Sequence, residues 1–159
     1  MFKPLALSTT LLFGGLAMAQ TNIDLGGMAV DTSAAIEVTA DSLSVDQASG
    51  RAIFAGSVLI GQGDLRLSAG RVEVIYGDDA NQIARLIATG GVTFVTADEA
   101  AEAQQADYNI DTGLLTLTGE VLLTQGASAI SAASMVINVT DGTATMDGRV
   151  RTVLQQGNN

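Results

Sequence analysis

Four stretches of this sequence alternate between apolar and polar residues, and each contains the tripeptide Gly-x-Val. The valines are Val58, Val92, Val121 and Val150, so the motif recurs after 34, 29 and 29 residues. Alternation with a period of two is typical of a β-strand that buries one face, and repeats of about 30 residues are typical of stacked β architectures. The sequence therefore predicts an all-β chain built from repeated short strands.

The stretch around Val58 recurs later in the chain. "GSVLIGQGDLRLSA" at 56–69 returns as "GEVLLTQGASAISA" at 119–132, with seven of fourteen positions identical. Gly56 and Gly119 begin the two phrases and are expected to ease a bend within a strand. The two phrases are predicted to play the same structural role in two halves of one domain.

Turn signals separate the predicted strands. An aspartate with a glycine close behind it occurs in "DQASG", "DTG" and "DG", where the carboxylate caps its own turn and glycine takes a positive φ. "GQGD" at 61–64 lies between two strand-like runs and is interpreted as a hairpin turn, not a phosphate site. The segment "DEAAEAQQA" at 98–106 contains strong helix formers, but its place in the repeat predicts a strand.

The chain divides into four segments. Residues 1–19 have a basic start, a short apolar run and an Ala-x-Ala ending, the pattern of a cleaved signal peptide. Residues 20–35 are predicted to be a flexible N-terminal segment, 36–154 the β domain, and 155–159 a disordered tail. The expected product is an exported domain.

Composition excludes several functions. The chain has no histidine and no cysteine, so Ser-His-Asp or Cys-His catalysis, disulfides and His/Cys zinc sites are excluded. Seventeen acidic residues against seven basic ones give a net charge of −10, which disfavours nucleic acid because phosphate contacts need basic clusters. We predict no catalytic residue, no metal site and no cofactor.

Two acidic pairs need a separate interpretation. Asp78-Asp79 and Asp98-Glu99 could bind Ca²⁺, or serve a glycosidase mechanism on a β-solenoid. Both pairs are more simply interpreted as solvated turns. A glycosidase is disfavoured because such folds usually need a longer chain and because the sequence offers no evident aromatic platform for a sugar. An enzyme is therefore not expected.

The apolar residues of one parity mark a single face of the predicted strands. They could fill an ordinary core, but they are small to medium in size, and a stack of β-repeats is elongated. Such a stack could hold an acyl chain, to which each buried CH₂ would contribute about 0.8 kcal/mol. Its two open edges would also invite strand addition and self-association. The predicted lining comprises Ile36, Val38, Leu43, Val45, Phe54, Val58, Ile60, Leu65, Leu67, Val72, Val74, Val92, Phe94, Tyr108, Ile110, Leu117, Val121 and Leu123.

Residues 36–76 resemble the opening of the OstA-like family, and residues 106–126 resemble its second half in the same way. The family's pattern is an apolar-acidic start, then Ala-Asp-x-Leu, a turn, Gly-x-Val, Gln-Gly and a later alanine and valine. Here these are Ile36-Glu37, Ala40-Asp41-Ser42-Leu43, Asp46, Gly50, Gly56, Val58, Gln62-Gly63, Ala69 and Val74. The resemblance covers residues 36–154.

The resemblance implies an open, twisted antiparallel β-jellyroll in the periplasm that binds lipopolysaccharide by its lipid A acyl chains, in outer-membrane biogenesis. It implies head-to-tail self-association in a bridge between the LptC periplasmic domain and the LptD N-terminal domain. Headgroup phosphates would stay outside the groove or meet Arg51, Arg66, Arg71 or Arg85. The alternative is a structural, self-assembling β-repeat protein without lipid cargo.

Overall fold

A computed structural model describes residues 22–24, 31, 33–79 and 81–155. These ranges form eleven β-strands and no helix, and hence no helix of the length and apolarity that a membrane crossing requires. The strands are β1 (Asn22–Asp24), β2 (Ile36–Thr39), β3 (Ser42–Asp46), β4 (Arg51–Gln62), β5 (Leu65–Tyr76), β6 (Ile83–Val95), β7 (Glu99–Asn109), β8 (Leu114–Gln125), β9 (Ser128–Asn138), β10 (Thr143–Asp147) and β11 (Arg151–Val153). The predicted signal peptide and residues 156–159 lie outside the described residues.

The strands form one open antiparallel sheet. Its order is β1-β10-β9-β8-β7-β6-β5-β4-β2, with β3 also paired to β4 and β11 also paired to β9. Neighbours are mostly consecutive in the chain, so hairpins join them, as the turn signals predict. The segment 98–106 lies in β7 except for its first residue, which confirms the strand prediction against helix propensity.

Each Gly-x-Val motif is a bulge. The pairing shifts between Ala55 and Val58 in β4, between Thr89 and Val92 in β6, and between Thr118 and Val121 in β8. In all three strands the two residues between have positive φ, and Gly148 and Arg149 repeat this geometry between β10 and β11. A bulge bends its strand and increases the local twist. Because the bulges lie in register, they produce one crease across the sheet.

The crease divides the sheet into two layers, which we name layer A and layer B. Layer A consists of β1, β3, β10 and residues 51–55, 71–75, 85–89, 105–109, 114–118 and 134–138. Layer B consists of β2, β11 and residues 58–62, 65–69, 92–95, 99–103, 121–125 and 128–132. One core cluster contains residues from both layers, so the layers fold toward each other over a shared inner face.

Asx turns close the hairpins of layer A. The Asp46 carboxylate accepts hydrogen bonds from the backbone N–H groups of Ala48 and Ser49, and the Asn138 side chain accepts those of Thr140 and Asp141. In the β4–β5 hairpin Gly63 has φ +57°, which confirms the prediction of a turn at "GQGD". These turns fix the strand ends that border the interior.

Candidate functional site

The inner face brings together sixteen of the eighteen residues predicted to line a groove. Twelve are buried in the core cluster, and four are partly buried against it. The buried residues are Val58, Ile60, Leu65, Leu67, Val72, Val74, Val92, Phe94, Tyr108, Leu117, Val121 and Leu123; the partly buried ones are Ile36, Val38, Phe54 and Ile110. The alternation therefore identified one continuous surface, and its role in binding lipid stays a prediction.

Leu43 and Val45 lie at the N-terminal edge of layer A. They stand opposite Phe54 and Ala52 in the pairing of β3 with β4, and directly opposed residues lie on the same face of a sheet. Both therefore belong to the inner face, yet they are 55% and 59% exposed. The exposure arises because β3 is the last strand of layer A at this edge.

The C-terminal edge of layer B also exposes apolar residues of the inner face. Thr152 stands opposite Ile130 on β9, and Ile130 packs against the core. Alternation then places Val150 and Leu154 on the inner face as well. They are 49% and 71% exposed. The apolar inner face thus continues to both edges of the sheet and is uncovered at each.

Between the edges the two layers meet. Val72, Phe94, Met135 and Ile137 are completely buried, so the centre of the interior is closed. The hairpins lie on the side of each layer away from the crease, and we call the strip along which the two rows of hairpins face each other the mouth. A long ligand could reach the closed centre only if the layers moved apart at the mouth or at an open edge.

Polar side chains are buried at the layer B rim of the mouth. Gln62, Thr96 and Glu99 are buried and lie at or next to the ends of strands that hairpins join. The Gln125 side-chain amide donates to a Glu99 carboxylate oxygen over 2.6 Å. The interpretation of Asp98-Glu99 as a solvated turn is therefore wrong for Glu99, whose side chain points inward in the parity of Ala101 and Ala103.

The other acidic pair behaves as expected of a turn. Asp78 and Asp79 are exposed, and the Asp79 carboxylate accepts the backbone N–H of Asn81 over 3.1 Å. The described residues contain no group of three or more acidic side chains placed to hold a metal ion.

Tyr108 carries a polar group into the interior near the layer A rim of the mouth. It stands between Leu86 and Leu115 on neighbouring strands and is 5% exposed. Its hydroxyl has no hydrogen-bond partner among the described residues, and burial raises its pKa. A buried hydroxyl without a partner is unfavourable, so this oxygen is a candidate contact for a polar group of a ligand.

The arginines proposed for headgroups do not face the interior. Arg51, Arg66, Arg71 and Arg85 alternate with buried residues and lie on the outer face. Arg51 forms an ion pair with Glu73 over 2.8 Å, and Arg85 pairs with Asp107. Arg66 donates to the carbonyl oxygens of Gly63 and Leu65. A headgroup phosphate could therefore meet these side chains only outside the groove.

Several core residues were absent from the predicted lining. Leu86, Leu115, Met135 and Ile137 are as deeply buried as those predicted. The same alternation identifies them, since Leu86 shares its parity with Val92, and Leu115 with Val121. The alternation alone is sufficient to assign them to the inner face.

Three comparisons place the chain among known proteins. It matches the family model described as "LptA/(LptD N-terminal domain) LPS transport protein" over residues 37–157. An uncharacterized protein of Rhizobium meliloti (strain 1021) is 26% identical over 149 residues, which cover 93% of this chain and 68% of that protein. The crystal structure of LptH, the LptA homologous periplasmic component of the conserved lipopolysaccharide transport device from Pseudomonas aeruginosa, superposes with a TM-score of 0.73. It covers 80% of this chain and 99% of LptH at 17% identity, a similarity of fold.

Proposed function

The chain belongs to the LptA/(LptD N-terminal domain) family of lipopolysaccharide transport proteins, and from this premise we propose that it carries lipopolysaccharide across the periplasm. The acyl chains of lipid A would lie on the inner face between the two layers. The observation that carries the proposal is the continuity of the apolar inner face from Leu43 and Val45 at one edge to Val150 and Leu154 at the other. A surface that is uncovered at both ends suits a cargo that passes from one protein to the next.

The energetics of loading are compatible with the closed centre. Acyl chains must separate the layers, which removes packing around buried side chains such as Phe94 in layer B and Ile137 in layer A. A saturated chain replaces these contacts with its own, and ten buried methylenes contribute about 8 kcal/mol. The cargo therefore takes the place of the lost packing, and the interior needs no preformed cavity. The headgroup remains at the mouth, outside the apolar interior.

The same edges provide the junctions of a bridge. At a head-to-tail contact, β11 of one copy would lie beside β2 of the next, and the two strands run in opposite directions, as antiparallel pairing requires. Arg151 on β11 and Glu37 on β2 both project from the outer face. Opposite charges across a strand pair favour one alignment. The LptC periplasmic domain and the LptD N-terminal domain would meet the two ends of such a stack.

Photocrosslinking in whole cells tests the cargo. A photoreactive residue replaces Phe94 on the inner face, and Thr93 on the outer face is the matched control. We expect a lipopolysaccharide adduct at 94 and none at 93. Leu43 and Ser44 form a second inner and outer pair, and because both are exposed we expect a bulky residue at either position to leave the fold intact.

The outcomes separate the candidate functions. Adducts at neither inner position, with the protein folded and exported, would contradict lipid carriage and favour a self-assembling structural protein without cargo. Adducts at the outer positions alone would keep the cargo and contradict the assignment of the inner face.

A further inference from the structure

The two layers differ at their C-terminal edge. In layer B the edge strand is β11, and no described strand lies beyond it. In layer A the edge of β10 is covered by β1, with Asn22, Ile23 and Asp24 opposite Thr145, Ala144 and Thr143. β1 precedes β2, which lies at the opposite edge of the sheet. β1, near the N-terminus, therefore covers the sheet edge formed by β10, near the C-terminus.

If β1 pairs with β10 of its own chain, the residues between β1 and β2 must span a distance close to their maximum length. Eight steps between neighbouring strands separate β1 from β2 in the sheet order, which corresponds to about 38 Å at the usual spacing. Twelve residue steps separate Asp24 from Ile36, and a fully extended chain of that length spans about 40 Å. Twist and curvature of the sheet shorten the separation, but the connection has little slack.

A second copy removes this constraint. In a head-to-tail stack the N-terminal edge of one copy lies against the C-terminal edge of the preceding copy. Residues 22–24 of the later copy then start next to the β10 edge of the earlier one. The same three residue pairs can form with the connecting chain slack, and no backbone pairing is lost relative to the single chain. Exchange of an identical element between copies is a low-cost route to assembly.

We propose that β1 is a donated strand, which pairs with β10 of the preceding copy in the assembled protein and with its own β10 only in an unassembled copy. The proposal rests on the head-to-tail stacking proposed above. Each junction then crosses both layers, through β11 beside β2 in layer B and through β10 beside the donated β1 in layer A. In a lone copy the folded-back β1 covers an edge that would otherwise attract other strands.

The absence of cysteine from the sequence makes disulfide trapping a clean test. Asp24 and Thr143 stand directly opposite each other, and opposed residues in an antiparallel pair have Cα atoms about 4.5–5.5 Å apart, within disulfide range. Asp24→Cys and Thr143→Cys are made as separate variants of the full chain, each with a different affinity tag. They are mixed under denaturing conditions, refolded together at concentrations that give oligomers, and oxidised with copper-phenanthroline. Glu102→Cys, on an exposed position of β7, replaces Thr143→Cys in the control mixture.

We expect a disulfide-linked heterodimer that carries both tags, at least tenfold more abundant than in the control mixture. The double variant Asp24→Cys/Thr143→Cys should close within one chain when dilute and give a ladder of linked chains when concentrated. A double variant that closes within one chain at every concentration, while the protein is oligomeric, would overturn the proposal. So would heterodimer at the control level, or a protein that stays monomeric at all concentrations.

The result is independent of the cargo. Lipopolysaccharide adducts at Phe94 or Leu43 would persist if the strand were not donated, because these positions are remote from β1 and β10 in the sheet order. Failure of strand donation and failure of lipid carriage are therefore distinguishable.

Discussion

Alanine substitutions at glycines in the crease can distinguish two contributions to a loss of stability, namely backbone strain and a steric clash with a neighbouring strand. Gly119 and Gly91 have φ values of +82° and +80°, so each disfavours a residue with a Cβ. They differ in their surroundings. A Cβ at Gly119 would lie 2.8 Å from the Gln104 Cβ and 2.6 Å from its side-chain oxygen, whereas a Cβ at Gly91 would meet nothing within 4 Å.

The expected magnitudes follow from these contacts. Left-handed backbone costs a non-glycine residue about 1–2 kcal/mol, and this applies to both substitutions. Gly119→Ala adds a carbon–carbon contact well inside the normal separation of about 3.5–4.0 Å. The Gln104 Cβ cannot rotate away, so the strands must shift, at about 1–3 kcal/mol more. We expect Gly91→Ala to lower the free energy of unfolding by about 1 kcal/mol and Gly119→Ala by about 3 kcal/mol.

Urea unfolding measures the difference. With a slope of about 2 kcal/mol per molar urea, the midpoint for Gly119→Ala should lie about 1 M below that for Gly91→Ala, with unchanged slopes. Gln104→Gly removes the clashing carbon, so in the Gly119→Ala background it should restore part of the loss. Equal midpoints for the two alanine variants, or no restoration by Gln104→Gly, would refute the close approach as the reason for glycine at this position.

Three further predictions concern titration and assembly. Burial raises the pKa of Tyr108, so the unfolded chain releases this proton first as pH rises past about 10. Stability should then fall, and Tyr108→Phe should remove that part of the decline in urea unfolding between about pH 8 and 11. Hydrogen bonds from Ser49 lower the pKa of Asp46 below 3.8, so its stabilisation is present above that value and lost as pH falls through the folded-state pKa. Asp46→Asn should reduce the acid-induced loss relative to the parent chain, and an unchanged loss would contradict this role. Arg151→Glu should weaken self-association by about two- to fivefold in sedimentation velocity, and Glu37→Arg in the same chain should restore it; no restoration would contradict the β2–β11 junction.

The prediction of family and fold from the sequence is confirmed, as is the absence of enzymatic function, since the matched family transports lipopolysaccharide. Local physical rules explain this success. Alternation identifies the buried face of each strand because the strand period is two. The place of 98–106 in the repeat predicted a strand, and burial of Ala101 and Ala103 on the inner face outweighs the helix propensity of the segment.

Features that depend on distant parts of the chain were not predictable in this way. Nothing in the alternation of β3 indicates that Leu43 and Val45 lack a covering strand, because exposure at an edge depends on what pairs beyond it. The inward position of Glu99 depends on a partner, Gln125, in another hairpin. Residues 22–24 lie within the segment predicted to be flexible and form β1, whose partner β10 is more than 100 residues away in sequence.

The crease and the open edges have a common consequence. A closed barrel has no free edges, but it also encloses its interior and cannot pass a long ligand sideways to a second protein. Here the four bulges fold an open sheet over its apolar face without joining the first strand to the last. The interior is therefore shielded along its length and open at both ends, and the ends carry both unpaired strand edges and exposed apolar side chains. A neighbouring copy would cover the backbone edges and the apolar residues with the same contact. The alignment of the edge strands would then determine both whether the copies attach and whether the apolar path continues from one copy to the next. A substitution that misaligns the edge strands should therefore weaken self-association and interrupt the apolar path together.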